Sequence, residues 1–146
     1  MTMSSTYGRT MRPPPDVVAW ANTLVARRID DLKKIQRKAR KHWRGGEHVH
    51  KLRTHARRLR AAVEDLRACI ANAQQLIDAS KELGQKTGKV RDADVLVRKL
   101  RRYRVFALPA ERAEIDTVCK PLLKERKAAQ KPAKGAVDDV RFKAPK

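Results

Sequence analysis

The sequence predicts an all-α protein, an antiparallel four-helix bundle with long helices. Three observations predict it. Apolar residues recur every three or four positions through four long segments. Gly, Pro and Asn fall between those segments. No stretch shows the alternation of a half-buried strand. At 146 residues the chain is long enough for one domain with its own core.

The element order follows from these signals. Residues 1–15 are expected to be disordered, because Pro13-Pro14-Pro15 forbids helix there and hands over to Asp16 as N-cap. The first helix runs from about Val17 to about Trp43. Its stripe is Val18, Ala21, Val25, Ile29, Leu32, Ala39 and Trp43, with Gln36 the one weak position. Asp30 and Lys34 are expected to pair at i,i+4. Gly45-Gly46 stops the helix and turns the chain.

The second helix runs from about Glu47 to about Ile70, and Asn72 marks its break. The third covers about Ala73 to Tyr103, with Leu76, Leu83, Val90, Ala93, Val97 and Leu100 inward and Leu96 beside them. Gly84 and Gly88 lie inside it, each costing about 1 kcal/mol relative to Ala. Either they mark a local break, or their missing side chains admit a neighbouring backbone or ligand; the pattern favours a continuous or slightly kinked helix. Pro109 suits the first position of a fourth helix, Ala110 to Gln130, with Ile115, Val118, Leu122 and Leu123 inward and a kink at Pro121. The domains are therefore a helical unit over 16–130 and a flexible basic tail over 131–146.

Charge narrows the function. Lys and Arg number 36 against 16 Asp and Glu, a formal +20. Such a cation attracts nucleic acid, acidic membranes or phosphate polymers. Aromatic residues are 4% of the chain, too few for a binder that works by stacking bases. Cys69 and Cys119 form no CxxC motif, so a reducing cytoplasm is expected. The N-terminal segment shows no apolar signal-peptide core. The most apolar stretch, Val17 to Ala26, is too short to span a bilayer.

The most informative stretch is Val49 to Val63. Leu52, Ala56, Leu59, Val63 and Leu66 form an apolar stripe. His50, Arg53, Arg57, Arg60 and Glu64 follow the same steps on another face. Such a helix buries one side and offers a row of imidazole and guanidinium groups, which match phosphate oxygens. The plain alternative is a bundle helix whose charged face meets only water. In Val90-Arg91-Asp92-Ala93-Asp94-Val95, Arg91, Asp94 and Arg98 are neighbours on one face and Asp92 points elsewhere. The acids Asp92 and Asp94 are expected to pair with arginines of the second helix, fixing bundle register and aiming those arginines at a ligand.

Other chemistry is not supported. His42, His48, His50 and His55 lack the i,i+4 spacing of a helical zinc site, and no Cys, Asp or Glu completes a ligand set. Gly84-Gln-Lys-Thr-Gly-Lys89 has three residues between its glycines rather than four, and Val90 stands where a phosphate loop needs Ser or Thr. No nucleophile, general base or di-iron pattern is present, so the chain reads as a binding module and not an enzyme, with no cofactor and no metal.

Two strings, Val49-His50-Lys-Leu-Arg53-x-x-x-Arg57-Arg58-Leu-Arg60 and Gly88-x-Val-Arg91-Asp92-x-Asp94-Val95-Leu96, together resemble the CHAD family, the conserved-histidine α-helical domain. The resemblance spans roughly Val17 to Gln130. It implies a helical bundle that binds inorganic polyphosphate through a basic surface or channel, at polyphosphate granules in bacteria or archaea. His50, Arg53, Arg57, Arg58 and Arg60 would match the family's histidine- and arginine-bearing helix, and Arg91 and Asp92 its second signature. Lys34, Lys38 and Lys41 of the first helix, with Arg27, match no sharp motif and enter as further candidates.

The chain departs from the family in three ways. Thr87 and Ala93 each replace a usual leucine, and one half is present where members typically hold two related by pseudo-twofold symmetry. A homodimer would restore the missing half. Polyphosphate suits the composition, since it carries charge on every phosphate and has no bases to read or stack. The alternatives are a sequence-nonspecific nucleic-acid-binding protein, held by the same backbone charge, and a granule-associated adaptor that docks a protein partner.

Overall fold

The computed structural model describes residues 13–43 and 46–146. The expectation of a disordered N-terminus falls largely on residues 1–12, outside the described residues, as does Gly45. Among the described residues the chain forms four long helices and no strand: α1 (Pro15–Lys41), α2 (Glu47–Asp65), α3 (Ala73–Arg104) and α4 (Pro109–Asp139). Each packs on its chain neighbour, and α1 meets α4 over a short stretch. The result is the expected all-α bundle.

Two of the four long helices, α1 and α4, start on a proline. Pro15 occupies the first turn of α1 behind an extended Pro14, so Asp16 lies inside the helix and not at its N-cap. A proline loses nothing there, because that N–H has no helical partner, and Asp16 favours the helix dipole instead. Pro109 plays the same part in α4, where the Leu108 N–H donates to Glu111 Oε2 at 2.8 Å. Lys34 pairs with Asp31 at 3.3 Å rather than with Asp30, an i,i+3 contact on the same surface.

Between α1 and α2, Gly46 takes φ +66°, a left-handed conformation that glycine adopts without a Cβ clash. A Cβ there would stand 2.7 Å from Asp94 Oδ2, so the turn also needs glycine for room. The second helix ends at Asp65, earlier than Ile70. A 3₁₀ turn at Arg67–Cys69 follows, and Ile70 then drops into the core from an extended backbone.

The core is one cluster, led by Val25, Ile29 and Leu32 of α1, Leu52, Leu59 and Val63 of α2, and Leu76, Leu83 and Val90 of α3. The third helix is continuous through Gly84 and Gly88. At the far end of the α3–α4 hairpin a smaller cluster holds Ala107, Ile115 and Cys119, with Leu100 packed beside it. Arg104 bridges to Asp116 there at 2.9 Å, and that guanidinium holds the Asp116 carboxyl below the usual carboxylate range. Leu122 is half-buried. Val118 and Leu123, expected inward, are exposed, because the inward face of α4 runs through Ile115 and Cys119 and continues through Ala129 and Ala133.

The flexible tail is the largest correction. Helix α4 runs unbroken through Pro121 and Pro132 to Asp139, and Val140 and Phe142 are buried behind it. Ala133, Ala136, Val137 and Val140 extend the apolar stripe at helical steps, so the segment has something to bury. Its last carbonyls are satisfied from α1. Gln36 Nε2 donates to Val137 O at 2.6 Å and to Val140 O at 3.0 Å, and Arg40 Nη2 donates to Val137 O and Asp138 O, both at 3.0 Å. Asn72 Nδ2 holds Lys143 O at 3.0 Å. Gln36, the weak position of the α1 stripe, is therefore a buried cap for another helix.

Candidate functional site

The two faces predicted for α2 are both present. Val49, Leu52, Ala56, Leu59 and Val63 are buried, while His50 and Arg57 are exposed and Arg53 and Arg60 half-buried. The basic face does not look into open water. It forms one wall of a groove of about 500 Å³ against α3.

From α2 the groove takes His50, Arg53, Arg57 and Arg60. From α3 it takes Lys81, Gln85 and Lys89, with Gly84 and Gly88 on its floor and Asp92 as its one carboxylate. Arg53 is fixed across the helix interface, where its Nη1 donates to the Gly84 carbonyl. A Cβ on Gly88 would approach that same Nη1 to 3.1 Å. The missing side chain of Gly88 leaves room for this guanidinium from α2. Arg60 leans toward Glu64 at 3.5 Å.

Ser80, at 4% exposure, also lines the groove, and its Oγ has no hydrogen-bond partner among the described residues. A buried hydroxyl without a partner costs free energy unless a ligand or water meets it. Outside the groove lining, Lys51 pairs with Glu47 at 3.2 Å and holds that carboxyl below the usual range.

Other expected residues lie elsewhere. Arg58 projects from α2 toward α1 and lines a separate hollow with Trp20, Arg28 and Asp65. Arg91 is half-buried and outside the groove lining. Lys34 lies in a third hollow, between α1 and the C-terminal segment, and Lys38 and Lys41 are exposed on α1.

The two acids also separate. Asp94 is ion-paired, but to Arg126 of α4 rather than to an arginine of α2. The start of α2 crosses it at Gly46, too early in that helix for Arg53 or Arg57 to reach. Asp92 makes no ion pair among the described residues and faces the groove instead.

Sequence reasoning missed the α3 wall. Lys81, Gln85 and Lys89 recur at i,i+4 on the face that also carries Gly84 and Gly88. That spacing was readable, and the glycine-lysine string is a helical wall rather than a phosphate loop. The His42 and His48 rings lie tilted to each other with centroids 5.8 Å apart. Among the described residues no three potential ligands gather to hold a metal, and no helix is long and apolar enough to cross a membrane.

Comparison with known proteins gives one result. Neither the curated proteins nor the solved structures yield a match. A family model does match, that of the CHAD domain, over residues 26–146. The match takes in most of α1 and all of α2, α3 and α4. It covers both walls of the groove and the C-terminal segment that Gln36 caps, and on that span the chain belongs to the CHAD domain family.

Proposed function

We propose that the protein binds inorganic polyphosphate, without turning it over, in the groove between α2 and α3, and that it does so at polyphosphate granules. One observation carries the reading: His50, Arg53, Arg57 and Arg60 from one helix and Lys81 and Lys89 from the next converge on one groove with a single carboxylate. The family is one associated with polyphosphate binding.

The chemistry suits a polymer of phosphates. No Phe, Tyr or Trp lines the groove, so bases would find no platform. Guanidinium forks pair with phosphate oxygens two at a time. Arg53 is already held on a backbone carbonyl, so less side-chain freedom is lost on binding. Each neutralised phosphate releases counterions, and affinity therefore falls steeply with salt.

The test compares two neighbouring arginines. Arg57 lines the groove and Arg58 faces α1. Arg57→Glu is expected to weaken long-chain polyphosphate binding about tenfold or more, about 1.4 kcal/mol, and Arg58→Glu less than about threefold. Equal losses would mean that net charge alone holds the polymer, and the groove assignment would fail.

A further inference from the structure

A second cluster of arginines lies on the part of α3 that α2 leaves uncovered. The two helices run antiparallel: Arg53 meets Gly84 and Gly88, and Gly46, at the start of α2, meets Asp94. Beyond Asp94, α3 continues to Arg104 alongside α4, with Glu47 at the start of α2 close enough to feel the Arg98 charge. A groove of about 520 Å³ opens there. It is lined by Arg98, Arg101 and Arg102 of α3 and Arg126 of α4, over an aliphatic floor of Val97, Val105 and Leu123.

Its charges are unbalanced. Asp94 is its one carboxylate and is committed to Arg126, which fixes that guanidinium at the groove wall. Arg98, Arg101 and Arg102 are exposed and make no ion pair among the described residues. Three like charges gathered over apolar walls repel one another and focus a positive potential into the groove. An anion placed there relieves that repulsion.

We propose that this groove is a second anion site that takes phosphate groups, so that one long polyphosphate chain engages both grooves at once. The proposal rests on the polyphosphate reading of the first groove. Along α3 the two sites are offset by the run from Gln85 to Arg101, roughly 24 Å at the helical rise and more than a third of a turn about the helix axis, so a bridging chain winds past Arg91, which lies between them. Tripolyphosphate is far shorter than that offset and occupies the grooves separately. A long chain held in one groove presents its free length to the other, and the second contact becomes intramolecular. Chain-length preference then follows from the spacing of two sites rather than from the depth of either.

The test uses the full chain with its arginine side chains labelled, followed by NMR at near-physiological salt. Tripolyphosphate should shift two sets of Nε resonances, those of Arg53 and Arg57 and those of Arg98, Arg101 and Arg102. Long-chain polyphosphate should bind at least about tenfold tighter than tripolyphosphate at equal phosphate, a conservative figure for linked sites. Arg101→Glu with Arg102→Glu, both on exposed positions, should reduce that advantage to less than about threefold.

Shifts confined to Arg53 and Arg57 would overturn the second site and leave the first standing. Shifts in neither set would overturn both. Shifts in both sets, with the chain-length advantage intact in the double variant, would overturn the bridging.

Discussion

The Arg53 guanidinium of α2 lies against the backbone of α3, donating to Gly84 O with its Nη1 3.1 Å from where a Cβ on Gly88 would stand. The two glycines are therefore not equivalent. Nothing lies within 4 Å of a Cβ added at Gly84. Gly84→Ala is expected to stabilise the fold by up to about 1 kcal/mol, the helix-propensity gain, with polyphosphate affinity unchanged. Gly88→Ala should gain similar helix stability but push Arg53 off its carbonyl, lowering affinity severalfold. Denaturant melts and binding titrations on both variants check this, and equal affinities for the two would contradict a positioned Arg53.

Polyphosphate binding is expected to depend on pH through the imidazole of His50, which lines the groove. A histidine is the side chain whose proton changes near neutral pH, and a polyanion beside it favours the charged form. It shares the groove with Arg53, Arg57, Arg60, Lys81, Lys89 and Asp92. Bound phosphate adds negative charge beside it. Affinity should be higher near pH 5.5 than near pH 8, and His50→Ala should flatten the difference. An unchanged pH profile in the variant would remove His50 from the site.

Gln36 is expected to matter for the C-terminal segment and not for the groove. Its Nε2 is the donor shared by Val137 O and Val140 O. Gln36→Leu keeps apolar bulk but leaves buried carbonyls with fewer partners, at a cost of about 1–3 kcal/mol. Hydrogen exchange should rise over residues 136–142 while the amides of α2 keep their protection. Uniform loss of protection would show that the segment folds as one unit with the rest.

What the sequence disclosed depends on how local each feature is. The α2 faces were legible because an amphipathic helix writes its buried stripe and its basic row into one continuous stretch. Leu52, Leu59 and Val63 lie inward, and His50, Arg53 and Arg57 reach the groove as the steps require. The second wall was not read, because Lys81 and Lys89 on α3 look like ordinary solvated lysines until a partner helix is placed beside them. The same holds for Asp94, whose partner Arg126 lies 32 residues away on α4. The C-terminal segment was misread for a related reason. Its stripe is built mainly of alanines among lysines, Pro132 and Gly135, and the donors that end its helix come from Gln36 and Arg40 of α1.

A competition assay at near-physiological salt tests most directly whether the α2–α3 groove is built for polyphosphate and not for polyanions at large. Labelled long-chain polyphosphate is displaced by unlabelled polyphosphate, single-stranded RNA or duplex DNA at equal phosphate content. Polyphosphate should compete at least about tenfold better than either nucleic acid, about 1.4 kcal/mol. Three equal curves would contradict the claim and leave the +20 charge as the whole of the affinity.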